Sequence, residues 1–167
     1  MRKFELVVPI PYEEAREILS RETTFLRRSK IEDCFFIRPG SEEIVRIRRQ
    51  DTLARLSCSR RISPDEPEES HETIVLDARA CTGLLSMLGF EAAETVRLTR
   101  DAWKKHLYNL HLDRIEGMGD FLTIETEVKY DNHRRLKRAA LDLLRGLGIP
   151  FDKKQVRAYT DPIKFAA

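Results

Sequence analysis

GDFLTIETEVK, residues 119–129, sorts into two faces. Phe121, Thr123, Glu125 and Glu127 fall on one side of an extended chain, and Leu122, Ile124, Thr126 and Val128 on the other, because successive side chains of a strand point to opposite faces. The run before it, HLYNLHLDRI (106–115), does the same: His111 and Asp113 oppose Leu110 and Leu112. AETVRLTRDAW (93–103) is a third extended run. Gly117 and Gly119 between the last two runs suit either a tight turn or a functional loop.

Working outward, EIVRIRRQ (43–50) sets Val45 and Ile47 against Ile44, Arg46 and Arg48. In TLARLSCSRR (52–61) one parity is Ala54, Leu56, Cys58 and Arg60, and Asp51-Thr52 offers a hairpin turn between these two runs. Residues 2–9, 24–37 and 71–76 also read as extended, and 62–70 as an exposed loop rich in Pro and acids. Helices are expected from Pro11 to Arg21, over 78–89 with Gly89 as the stop, and over 131–146, where Leu136, Ala140, Leu143 and Leu144 make an apolar stripe. A short tail follows at 152–163. This predicts an α+β fold of about eight strands and three helices, with a mainly antiparallel sheet.

Each strand taken alone is explained by a polar side in water and an apolar side on the core. That explanation is strained for so many two-faced strands with three amphipathic helices. The alternative puts the helices over the apolar outside of a closed or nearly closed sheet. The polar faces then line an interior, and one carrying both Arg and carboxylates suits a polyanion with a divalent metal.

At 167 residues the chain is expected to be one domain over 1–167, long enough to bury a core without staples. Charged residues make up 35%, yet 30 Lys+Arg stand against 28 Asp+Glu. That balance argues against a nucleic-acid arm or a membrane-surface protein. Cys34, Cys58 and Cys81 form no C-x-x-C pair, which fits a reducing compartment. The N-terminus lacks the apolar core of a signal peptide, and no stretch is apolar enough to span a bilayer. A cytoplasmic protein is expected. No Ser-His-Asp pattern and no G-x-x-x-x-G-K-[ST] loop is present. His71, His106, His111 and His133 lack metal-ligand spacing, though His111 shares a face with Asp113.

EGMGDFLTIETEV (116–128), with Asp113 before it, resembles the D-x-x-x-G-x-G-D-F-x-E-I-E signature of the CYTH superfamily, which holds class IV adenylate cyclases, thiamine triphosphatases and inorganic triphosphatases. LLSMLGF (84–90) with TVRLTRDAW (95–103), VRIRR (45–49) with LSCSRR (56–61), and VRAYTDPI (156–163) are similar to further elements of that family, in the same order. The resemblance implies an eight-stranded antiparallel barrel of triphosphate-tunnel type. It implies triphosphate-binding roles for Arg46, Arg48, Arg60, Arg100 and Arg157, and metal-binding roles for Glu5, Glu72, Asp113 and Glu125, with Mg²⁺ or Mn²⁺ as cofactor. The implied ligand is a nucleoside triphosphate or polyphosphate, and edge-strand pairing offers a route to a homodimer. The chain departs from the family pattern at Lys3, Val7, Ile74 and Thr123, where an acid, a lysine, an acid and an acid are expected. The expected function is triphosphate binding of adenylate cyclase-like type with weak metal-dependent turnover. The alternative is a non-catalytic module for a phosphorylated ligand or RNA.

Overall fold

The computed structural model describes residues 2–60, 68–127 and 133–152, and the alternating runs are strands. In chain order the elements are β1 (Arg2–Pro9), α1 (Tyr12–Glu22), β2 (Thr24–Ile37), β3 (Glu43–Gln50), β4 (Leu53–Arg60), β5 (Glu68–Val75), α2 (Ala78–Met87), β6 (Glu91–Lys105), β7 (Tyr108–Ile115), β8 (Gly119–Glu127) and α3 (His133–Gly146). The strands pair antiparallel in the order β1-β5-β4-β3-β2-β6-β7-β8 and close into a barrel. Closure runs through β1. It pairs with β8 from Lys3↔Glu127 to Pro9↔Phe121, but with β5 only at Arg2↔Glu69 and Lys3↔Glu68 among the described residues. β5 starts inside the expected loop, because pairing Ser59↔Ser70 and Arg60↔Glu69 extends the ladder into a segment with no alternation of its own. The cap expected at Asp131 or Asn132, the tail and Arg157 lie outside the described residues.

The helices cover the outside. Phe4, Leu6 and Val8 of β1, Leu110 and Leu112 of β7, and Leu122 and Ile124 of β8 form one core with Tyr12, Ala15 and Leu19 of α1 and Ala140 and Leu144 of α3. Tyr12, Ala15 and Leu19 recur at helical spacing, so α1 turns one apolar stripe to the sheet. Pro11 starts α1, Glu13 and Glu14 favour its positive end, and the Thr23 N–H closes its last turn on the Leu19 carbonyl. On the opposite side α2 lays Leu85 over Phe36, Val45 and Ile47, with all three cysteines packed around that cluster. The Asp77 carboxylate caps α2 by accepting from the Arg79 and Ala80 N–H groups, both at 2.9 Å.

Candidate functional site

Because Leu122 and Ile124 face the helices, Thr123 and Glu125 face the interior. Register carries this assignment round the ring. Thr123 pairs with His111 and Val7, and Glu125 with Glu5 and Asn109. Asp113 pairs with Arg100, and Arg100 with Ser29. Asp33 pairs with Arg48, and Arg48 with Arg55. Phe35, Arg46, Ser57 and Glu72 form the next row.

Part of this interior is apolar. Ile31, Phe35, Val96, Leu98 and Ile115 pack together, with Ile44 and Phe121 against them, toward the β2–β3 and β7–β8 turns. The remainder is charged. The Asp33 carboxylate is fully buried and accepts a fork from Arg48, Nε at 2.7 Å and Nη2 at 2.6 Å. Arg46 reaches Asp33 at 3.9 Å and Glu72 at 4.0 Å, and Arg55 meets Glu72 at 2.9 Å. A chain of alternating charge, Arg48–Asp33–Arg46–Glu72–Arg55, therefore crosses β2, β3, β4 and β5. On another wall Arg100 forks onto Asp113, with Nε and Nη2 both at 2.7 Å. Bidentate geometry fixes each guanidinium plane as well as its charge. The Thr123 hydroxyl oxygen is buried with no hydrogen-bond partner among the described residues.

The structure brings Arg46, Arg48, Arg100, Glu5, Glu72, Asp113 and Glu125 to the interior face. Arg60 is different. It shares the parity of Leu56 and Cys58, which pack under α2, and it is exposed. It lines a surface pocket of about 290 Å³ with Arg38, Ser41 and Glu43. The inner face of β4 carries Arg55 and Ser57 instead. Both parities of β4 end in polar residues, so alternation alone does not separate them. Asp33 was also invisible in the sequence, because β2 mixes Ile31 and Phe35 with Asp33 on one face. Its signal is only the two-residue spacing from an apolar wall. The residues of the G-x-G-D motif serve a turn: Gly117 and Gly119 have φ of +75° and +106°, and Asp120 accepts from Arg114 Nε at 3.2 Å.

Among the described residues no group of three or more His, Cys, Asp or Glu is placed to hold a metal ion. Asp113 and Glu125 do not face one another: the β7 partner of Glu125 is Asn109, four residues or about 13 Å along the strand from Asp113. Asp113 is committed to Arg100, and Glu72 to Arg55. Glu5 and Glu125 are direct cross-strand partners on β1 and β8. Two carboxylates suit a Mg²⁺ ion that draws its other ligands from phosphate and water, so the residues fit a ligand-borne cation rather than an all-protein cage.

Outside the barrel, Asp101 is buried among cations. It accepts from Tyr12 Oη at 2.7 Å and from Arg28 Nε at 2.6 Å and Nη2 at 2.8 Å, with Arg16 at 3.6 Å. Burial pushes its carboxyl up, but the bonds from Arg28 and Tyr12 and the charges of Arg28 and Arg16 outweigh burial and hold it below the ordinary value. The Arg114 guanidinium lies 4.1 Å over the Tyr12 ring. These contacts pin the first turn of α1 to β2, β6 and β7.

An antiparallel barrel with helices outside and ion-paired arginines inside defines a tunnel-type class of protein. Within that class the chain belongs to the CYTH domain family, whose model matches residues 1–159. Solved structures agree on the fold. The PH1819 protein of Pyrococcus horikoshii OT3 is 24% identical with a TM-score of 0.84, covering 99% of each chain. The PH1012 protein of the same organism is 22% identical with a TM-score of 0.83, covering 95% of this chain and 98% of that one. A Vibrio parahaemolyticus protein assigned as an adenylate cyclase is 14% identical with a TM-score of 0.78, covering 98% of both. No curated protein matches the chain in sequence. No helix among the described residues is long and apolar enough to cross a membrane.

Proposed function

We propose that the barrel interior binds a triphosphate, nucleoside or inorganic, together with a divalent cation, and that turnover of it is slow or absent. The observation that carries this reading is the run of interior arginines, Arg46, Arg48, Arg55 and Arg100, held by Asp33, Glu72 and Asp113. Pre-oriented guanidinium groups in a low-dielectric interior recognise phosphoryl oxygens strongly. Interior carboxylates nearly balance them, so a bare polyanion binds through the arginine forks but less tightly than one that carries a cation. Mg²⁺ or Mn²⁺ on the triphosphate cancels part of the polyanion's negative charge and so lowers the excess. Glu5 and Glu125 are the residues that would face the cation, which when bound draws charge from the phosphate oxygens.

Phosphoryl chemistry of this kind rests on positioning and electrostatics. Cyclisation would join the ribose 3′-oxygen to the α-phosphorus and release pyrophosphate; hydrolysis would direct water to the terminal phosphorus. In either case the arginine forks orient the chain of phosphates. Slow turnover is favoured by the departures named above. Thr123 and Ile74 supply no carboxylate and Val7 no cation, and loss of one well-placed charge-stabilising group costs about 3–4 kcal/mol of barrier. The test combines calorimetric binding with product chromatography, using ATP, thiamine triphosphate and tripolyphosphate with Mg²⁺ or Mn²⁺. Micromolar binding with little product is expected. No binding to any of the three would overturn the reading, and brisk turnover would overturn its catalytic half.

A further inference from the structure

Thr123 lies on the inner face of β8, between the row of Arg100, Asp113 and Phe121 and the row of Glu5, Asn109 and Glu125. It is 2% exposed, and its hydroxyl oxygen has no hydrogen-bond partner among the described residues. A buried hydroxyl left unmet is costly, and native structures rarely keep one without a use. Its cross-strand neighbours are Val7 on one side and His111 on the other. Val7 offers the hydroxyl nothing.

We infer that Thr123 is a ligand contact: its hydroxyl donates directly to a phosphoryl oxygen of the bound triphosphate. A hydroxyl can serve an anionic oxygen as a donor, whereas a carboxylate at that position could reach phosphate only through a cation. Thr123 therefore gives the tunnel a contact with its ligand that needs no metal. The hydroxyl is buried before the ligand arrives, so binding must displace whatever covers it. This inference rests on the triphosphate-binding reading above and specifies one contact within it.

The test is calorimetric titration of tripolyphosphate into the full-length protein, with EDTA and separately with Mg²⁺, for the wild type, Thr123→Val and Thr123→Ser. Val keeps the shape and deletes the donor; Ser keeps the donor. Thr123→Val should weaken binding about tenfold or more in both buffers, and Thr123→Ser should restore it. Thermal melting supplies the second readout. Deleting an unmet buried hydroxyl should leave the melting temperature unchanged or higher, whereas a structural hydroxyl would lower it. Wild-type binding with undiminished Thr123→Val affinity overturns the inference alone. So does a loss confined to Mg²⁺ buffer, which would route the hydroxyl through the cation. Wild-type protein that ignores tripolyphosphate, ATP and thiamine triphosphate overturns both the inference and the function it rests on.

Discussion

Removing the Asp101 carboxylate should loosen α1. Asp101→Asn keeps the shape but loses the charge that collects Tyr12, Arg28 and Arg16. A buried carboxylate with charged partners is worth about 2–3 kcal/mol here, since Arg28 and Arg16 are half exposed. Its carboxyl is held below the ordinary value near 3.9. The stability it contributes is therefore present above that pH and lost as pH falls through the depressed value. Chemical denaturation from pH 7 down to about pH 3 should show the wild type losing more stability than Asp101→Asn; parallel curves would refute the assignment. Arg100 calls for a different comparison. Arg100→Ala strands the fully buried Asp113, so it should cost about 3–5 kcal/mol. Arg100→Ala with Asp113→Asn should recover stability but not triphosphate affinity. The exposed helix position Arg135→Ala should change neither.

The β7–β8 hairpin and the outer helices set the strength of the elements. Gly119 has φ of +106°, and a Cβ there would meet no atom within 4 Å, so backbone conformation and not space requires glycine. Gly119→Ala should cost about 1–2 kcal/mol in denaturant unfolding. Leu144 is fully buried between α3 and the barrel. Leu144→Ala should cost about 3 kcal/mol, lowering the melting temperature by roughly 6–12 °C. The element boundaries legible in the sequence are those with alternation or helical spacing, such as β3, β8 and α2. β5 begins earlier than its alternation indicates because its acids carry no period, and the β4 ladder draws them into the strand. The family resemblance implies a triphosphate-binding role for Arg60, but the packing of Leu56 and Cys58 under α2 turns that parity of β4 outward.

For the whole molecule the governing quantity is the charge held inside a closed wall. Cations of β3, β4 and β6 meet carboxylates of β2, β5 and β7 across register rows, so interior charges of both signs offset one another. Restoring the family pattern should tip that balance toward metal. Lys3→Glu, Val7→Lys and Thr123→Glu together should raise Mg²⁺- or Mn²⁺-dependent turnover while weakening binding in EDTA, because carboxylates attract the cation and repel bare phosphate. Turnover unchanged from the wild type would show that these positions do not limit the reaction.

Period-two alternation, the turn glycines and the amphipathic stripes were enough to specify antiparallel strands, their covering helices and the parity of most interior residues, because those properties are local and repeat along the chain. Which arginine meets which carboxylate was not local. The pairs Arg48–Asp33 and Arg100–Asp113 arise from register between strands, and the separation of Asp113 from Glu125 arises from their places along β7 and β8. The inward turn of Arg55 in place of Arg60 depends on α2 covering one face of β4. Distances between charges on neighbouring strands are set by how the barrel closes, and only the tertiary structure decides that.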